Sequence, residues 1–180
     1  MCIVLAAMVK KSLIRSGSFP YHVTARANNK EWFYIPTDEA WYIFMQYAFG
    51  VTVAYGARIH SFVLMANHFH LLISTPDSNL DEIMRYLLRE VSKAINFRAA
   101  RINHVFGGRY KWSLIQEPGY YAHAMKYIYR NPIRAGICEY VQNYPYSTIA
   151  GIYGNTHLLV PVYGSPLSES AVPKDLDSQL

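Results

Sequence analysis

Met65-Ala66-Asn67-His68-Phe69-His70-Leu71-Leu72-Ile73-Ser74 (MANHFHLLIS) has the alternation of a β-strand from His68 onward, entered through a tight connection at Ala66-Asn67. Residues i and i+2 of a strand share a face, so His68 and His70 stand side by side while Phe69 turns into the core. The β-rich run before it, 57–65, supplies a second strand and makes the pair a hairpin. Two neutral imidazoles at this spacing can chelate one divalent ion. A lone His-x-His is more often a pair of surface histidines, so other residues must complete a site. The residues that follow, Leu71 to Thr75, contain no glutamate of the kind cupin metal sites need, and the chain has no Cys-x-x-Cys for a zinc finger.

Outward from the hairpin, Phe19 to Asn28 (FPYHVTARAN) reads as a first strand. Pro36-Thr37-Asp38-Glu39 begins a helix, with Thr37 as expected N-cap and two acids in the first turn; it runs through Trp41, Phe44, Met45 and Ala48 to Gly56. Pro76 to Asn79 is a turn and cap for a second helix, Leu80 to about Arg101. Its apolar stripe is Leu80, Ile83, Met84, Leu87, Leu88, Val91 and Ile95. Gly107-Gly108 precedes a short strand, Tyr110 to Gln116. A third helix starts at Pro118 and is expected to end at Asn131-Pro132. The order of strand, helix, strand, strand, helix, strand, helix predicts an α+β fold: a ferredoxin-like antiparallel sheet covered by helices, plus a C-terminal tyrosine-bearing helix. There is no internal repeat and no sign of a second domain.

The 180 residues suffice for one domain with a full core, and 52% hydrophobic against 16% charged residues excludes a disordered chain. No apolar run is long enough to span a membrane. Cys2 and Cys138 make no disulfide framework, which points to a reducing cytoplasm. Met1 to Met8 is apolar, but Lys10 and Lys11 follow it, the reverse of a secretory signal. Residues 1–18 are therefore read as a leader with the expected true start at Met8, residues 19–164 as the catalytic domain, and 165–180 as a disordered acidic tail. Net charge is +5, yet between Arg85 and Arg134 ten Lys/Arg face only Glu90 and Glu117. Crowding of one sign on this scale suits a polyanion such as a phosphate backbone.

On the third helix His123, Tyr127 and Asn131 recur at four-residue intervals, bringing an imidazole, a phenol and an amide close to one face. A tyrosine can attack phosphorus as a covalent nucleophile, and a metal on the phosphate would assist it. Tyr120, Tyr121 and Tyr129 compete for that role, and an asparagine before Pro132 is also a normal helix-ending residue.

Met65 to Leu72 resembles the His-hydrophobic-His signature of the single-tyrosine HUH transposases. Tyr127-Ile128-Tyr129-Arg130-Asn131-Pro132-Ile133-Arg134-Ala135-Gly136 resembles the tyrosine-helix motif of their REP-associated branch. Tyr21 to Arg26 (YHVTAR), His104 to Lys111 (HVFGGRYK) and Tyr144-Pro145-Tyr146-Ser147 agree in the same order, so the resemblance covers about residues 19–150. It implies a domain that cleaves and rejoins single-stranded or hairpin DNA. His68, His70 and Asn131 would hold Mg²⁺ or Mn²⁺, and Tyr127 would form a 5′-phosphotyrosine link. Imidazole ligands suit Mn²⁺ better than Mg²⁺. Arg26, Arg85, Arg89, Lys93, Arg109, Lys111, Lys126, Arg130 and Arg134 are the expected phosphate contacts, with exposed tyrosines or Trp112 as base-stacking partners. His123 comes from spacing alone. Ala27 and Gly107 stand where the family commonly has Gly and often Gln, which bears on DNA contacts more than on chemistry. Relatives act as monomers or as homodimers with the tyrosine helix serving the partner's histidines; both stay open. So do a replication or conjugation nickase sharing this site and a nucleic-acid-binding module without catalysis.

Overall fold

In the computed structural model, which describes residues 12–165, the strand that carries the two histidines is an inner strand of a four-stranded antiparallel sheet. The strands are β1 (Tyr21–Arg26), β2 (Arg58–Leu64), β3 (His68–Ser74) and β4 (Lys111–Leu114), in the spatial order β2-β3-β1-β4. Helices α1 (Thr37–Tyr55) and α2 (Leu80–Arg98) connect them, and α3 (Pro118–Tyr129), α4 (Asn131–Arg134) and α5 (Thr148–Ile152) follow. This is the expected α+β, ferredoxin-like arrangement. The Met8 start, most of the expected leader and nearly all of the acidic tail lie outside the described residues.

The register explains the two faces. β1 pairs with β3 as Tyr21–Ile73, Val23–Leu71 and Ala25–Phe69, and these six side chains belong to the core under α1 and α2. The alternate pairs, His22–Leu72, Thr24–His70 and Arg26–His68, stand on the opposite face. On that face Leu72 and Val63 are covered by Tyr121, Ala124 and Ile128 of α3 and by Val141 and Tyr144. Beyond that cover, the end of the sheet bearing Arg26, His68 and His70 opens into a groove.

Several boundaries differ from expectation for local reasons. Pro36, not Thr37, holds the cap position of α1, and no side chain caps it; Thr37 is already helical. Gly56 closes α1 at φ 62°, a left-handed conformation that a residue with Cβ adopts at a cost. α2 ends at Arg98 instead of Arg101, and Ala100 takes φ 50° just after it. β4 is four residues long, although Ile115 N–H still bonds the Pro20 carbonyl at 2.9 Å.

α3 ends at Tyr129, so Asn131 begins the separate turn α4. Pro132 has no N–H for the Ile128 carbonyl. The Asn131 Nδ2 donates there instead, at 3.3 Å, and to the Tyr127 carbonyl at 2.8 Å. Helical direction is kept across the break, because Arg130 N–H bonds Lys126 O and Arg134 N–H bonds Arg130 O.

The outer side of β2 is covered: Leu64 N–H bonds Tyr146 O, and the Tyr163 N–H bonds Ile59 O. His60, at a register shift in β2, donates from Nδ1 to the Gly164 carbonyl at 2.8 Å and meets Ser74 Oγ through Nε2 at 2.8 Å. Among the described strands none pairs with the outer side of β4.

Phe69, fully buried, lies 5.3 Å from Phe44 and 5.5 Å from Phe62 between ring centroids. Removing its ring leaves a cavity the sheet cannot close. Phe69→Ala is expected to lower unfolding free energy by about 3–5 kcal/mol in urea titration.

Candidate active site

The groove that opens at His68 and His70 has a volume of about 810 Å³ and is bordered by Arg26, Asn28, Lys30, Arg109, Lys111, Tyr127 and Asn131. Two segments distant in sequence thus meet: the β2–β3 hairpin brings the imidazoles, and the α3–α4 junction brings the phenol and the amide. The His68 and His70 rings lie 5.2 Å apart, nearly perpendicular. The Tyr127 ring stands edge-on to His70 at 5.5 Å.

Both histidines are held neutral. Burial pushes His68 down to about 4, with the Arg26 guanidinium adding to the effect. Burial also pushes His70 down to about 3, assisted by His22, His68 and Arg26. His68 Nδ1 lies 2.8 Å from Asn67 Oδ1, and His70 Nδ1 lies 3.0 Å from His22 Nε2. No described residue hydrogen-bonds either Nε2 atom. Among the described residues there is also no group of three His, Cys, Asp or Glu placed to hold a metal ion. Asn131, which borders the same groove, spends its Nδ2 on backbone carbonyls, leaving the oxygen as its other polar atom.

Exposure sorts the competing tyrosines. Tyr121 and Tyr129 are 5% and 2% exposed, and burial pushes both phenols up. Tyr127 is 41% exposed. Tyr120 is exposed too, but with His123 it lines a neighbouring hollow that includes His22 and Tyr127 and excludes His68 and His70. His123 therefore does not join the histidine pair.

The basic residues divide into groups. Arg26, Arg109 and Lys111 border the groove. Arg109 and Lys111 also face a second hollow at the β4 edge, shared with Arg85 and with the half-buried Trp112, which packs edge-on against Tyr21. Arg134 places its guanidinium 5.1 Å from the centre of the Tyr127 ring. Arg89 and Lys93 both engage Glu90 on α2, across the sheet from the histidines, and neither borders the groove. Lys126 and Arg130 do not line it either, and Arg130 Nε is buried without a hydrogen-bond partner among the described residues.

His22 escaped the sequence reading. Its ring stacks on His70 at 5.2 Å and meets Tyr127 edge-on at 5.9 Å. The available signal was its place two residues before Thr24 and four before Arg26, on one face of the first strand.

A model of the family described as "Transposase IS200 like" matches residues 17–143. A REP-associated tyrosine transposase of Escherichia coli (strain K12) is 28% identical over 91 residues, covering 51% of this chain and 53% of that protein. The chain's match thus spans about half the length of that curated relative. A solved structure of a REP-associated tyrosine transposase bound to a REP hairpin superposes with a TM-score of 0.67 at 18% identity, over 91% of this chain and 96% of that one, which shows a common fold.

Depressed folded pKa values make stability fall on acidification: between about pH 6.5 and the folded values, the unfolded chain binds protons that the folded chain refuses. Unfolding free energy in urea should decline between pH 6.5 and 4.5, by on the order of 1 kcal/mol per pH unit from His70. His70→Gln should make the decline shallower by about that amount, leaving the part due to His68.

Proposed function

This chain belongs to the IS200-like transposase family, and we propose that it is a metal-dependent DNA transposase that cleaves and rejoins single-stranded or hairpin DNA with Tyr127 as nucleophile. The observation that carries this reading is the Tyr127 ring 5.5 Å from His70, in one cation-lined groove with His68 and Asn131.

The residues present fit a divalent cation: two neutral imidazoles, each with Nδ1 engaged inside the protein, and an amide oxygen. His68 and His70 through Nε2, and Asn131 through Oδ1, would hold it. Mn²⁺ or Mg²⁺ bound there would polarise the scissile phosphate and neutralise the charge that builds on it. Mn²⁺ suits the nitrogen ligands better.

Arg26, Arg109 and Lys111 hold the strand's phosphates along the groove. Tyr127 passes its phenolic proton to water and attacks phosphorus. The bond from Tyr127 Oη to phosphorus forms as the phosphorus–O3′ bond breaks, and the departing oxygen takes a proton to become a 3′-OH. A 3′-OH of another strand, or water, then attacks the 5′-phosphotyrosine and releases Tyr127. The covalent link conserves the phosphodiester's energy, so no nucleotide cofactor is required.

The reading is tested with labelled hairpin-bearing single-stranded DNA, Mn²⁺ and a denaturing gel. The wild type should form a covalent adduct that EDTA abolishes. Tyr127→Phe should lose it by at least about 10³-fold, the scale expected when a nucleophile is removed, while Tyr120→Phe keeps it. An adduct that persists in Tyr127→Phe overturns the assignment. Binding without any adduct supports the module reading instead.

A further inference from the structure

Asn67 is the last residue of the hairpin connection, directly before His68, and both ends of its side chain are engaged. Its Nδ2 donates to the Lys30 carbonyl at 2.6 Å, and its Oδ1 lies 2.8 Å from His68 Nδ1. A carbonyl oxygen only accepts, so the end of the amide that faces Lys30 must be the NH₂ group. That leaves the oxygen for His68. An amide oxygen has no proton to give, so this contact is a hydrogen bond only if His68 Nδ1 carries the hydrogen. A neutral imidazole has one N–H, and Nε2 is then the nitrogen with the free lone pair.

His70 is held less decisively. Its Nδ1 meets His22 Nε2 at 3.0 Å, and either ring can be the donor. One of the two proton arrangements bares Nε2 of His70 and the other covers it. Of the two histidines, only His68 has its tautomer dictated by its neighbour.

The Lys30 carbonyl is itself fixed. Ala27 N–H bonds Asn67 O at 2.8 Å and Phe33 N–H bonds Ala66 O at 3.3 Å, so residues 27–33 are pinned to the hairpin turn on both sides of Lys30. Asn29 and Lys30 take φ of 53° and 59°, a backbone conformation that residues with Cβ rarely adopt. We propose that Asn67 is a positioning residue: oriented by the Lys30 carbonyl, it locks His68 in the Nδ1–H tautomer and so presents Nε2 to the divalent cation in the groove. The presentation to a cation rests on the reading under Proposed function; the lock itself does not.

Side-chain ¹⁵N correlation spectra of the metal-free protein in neutral buffer distinguish the two tautomers directly, and calorimetric titration with Mn²⁺ alone gives the affinity. The wild type should show His68 with Nδ1 protonated. Asn67→Ala should show a mixture and bind Mn²⁺ about 10- to 100-fold more weakly, the usual loss when a partner behind a ligating histidine is removed. Asn67→Asp keeps an oxygen for His68 Nδ1 but lacks the NH₂ group that the Lys30 carbonyl orients, so it should recover the Nδ1–H tautomer only in part, a graded response that a merely structural role would not give. Wild-type His68 protonated on Nε2 overturns the proposal, as does an Asn67→Ala protein with unchanged tautomer and affinity. If Asn67→Ala does not fold, the wild-type spectrum and Asn67→Asp still decide it. Wild type that binds no Mn²⁺ yet shows Nδ1–H supports the lock and overturns the cation reading.

Discussion

Every second side chain of β3 has to leave the sheet on the same side, and this one geometric fact divides the molecule. Phe69, Leu71 and Ile73 enter the core beneath α1 and α2, which fixes the register of β3 between β1 and β2. Fixing that register commits His68 and His70 to the opposite face, beside Arg26 and Thr24 of β1. A slip by one residue would bury two imidazoles among phenyl rings and expose Phe69, at a cost far beyond the stability margin of a small domain. Core packing thus serves as the aiming device of the site.

Three buried or half-buried histidines on adjoining strands show how their surroundings set their use. His60 has both nitrogens engaged, by Ser74 and by backbone carbonyls of 163–164, and so fastens the chain after α5 to β2. His68 and His70 have one nitrogen each tied inside the protein and one left toward the groove. Burial, with the nearby Arg26 charge adding to it, keeps the latter two rings neutral, so each retains one lone pair at neutral pH.

The hairpin and the helix order were legible because alternation and the i, i+3, i+4 stripe are local signals, and Phe69 against His68 and His70 is among the clearest alternations in the chain. The meeting of Tyr127 with the histidines was legible only through motif resemblance, since no periodicity relates residues 57 positions apart. His22 was not legible as a site neighbour: its partner His70 is 48 residues away, and only the β1–β3 register puts them together. Arg85, Arg89 and Lys93 recur every four residues along α2, but which side of the sheet α2 covers is a tertiary matter. Burial of Leu87 and Val91 with Phe69 sends Arg89 and Lys93 away from the groove, where Glu90 neutralises part of their charge. Likewise, Pro132 announced a helix end, but only the folded chain shows the Asn131 amide standing in for the proline's missing N–H.

The brevity of β4 has a consequence for how this protein behaves among copies of itself. An uncapped sheet edge is a template on which another chain can add a strand, and aggregation begins there. Among the described strands, β4 at the end of the sheet has only the four residues Lys111–Leu114, begins at a lysine and follows the Gly107-Gly108-Arg109 bend. A second copy approaching in register would set its own Lys111 and Arg109 against these, so like charges repel it. The cations that border the groove therefore also disfavour the addition of a second copy's strand along these four residues.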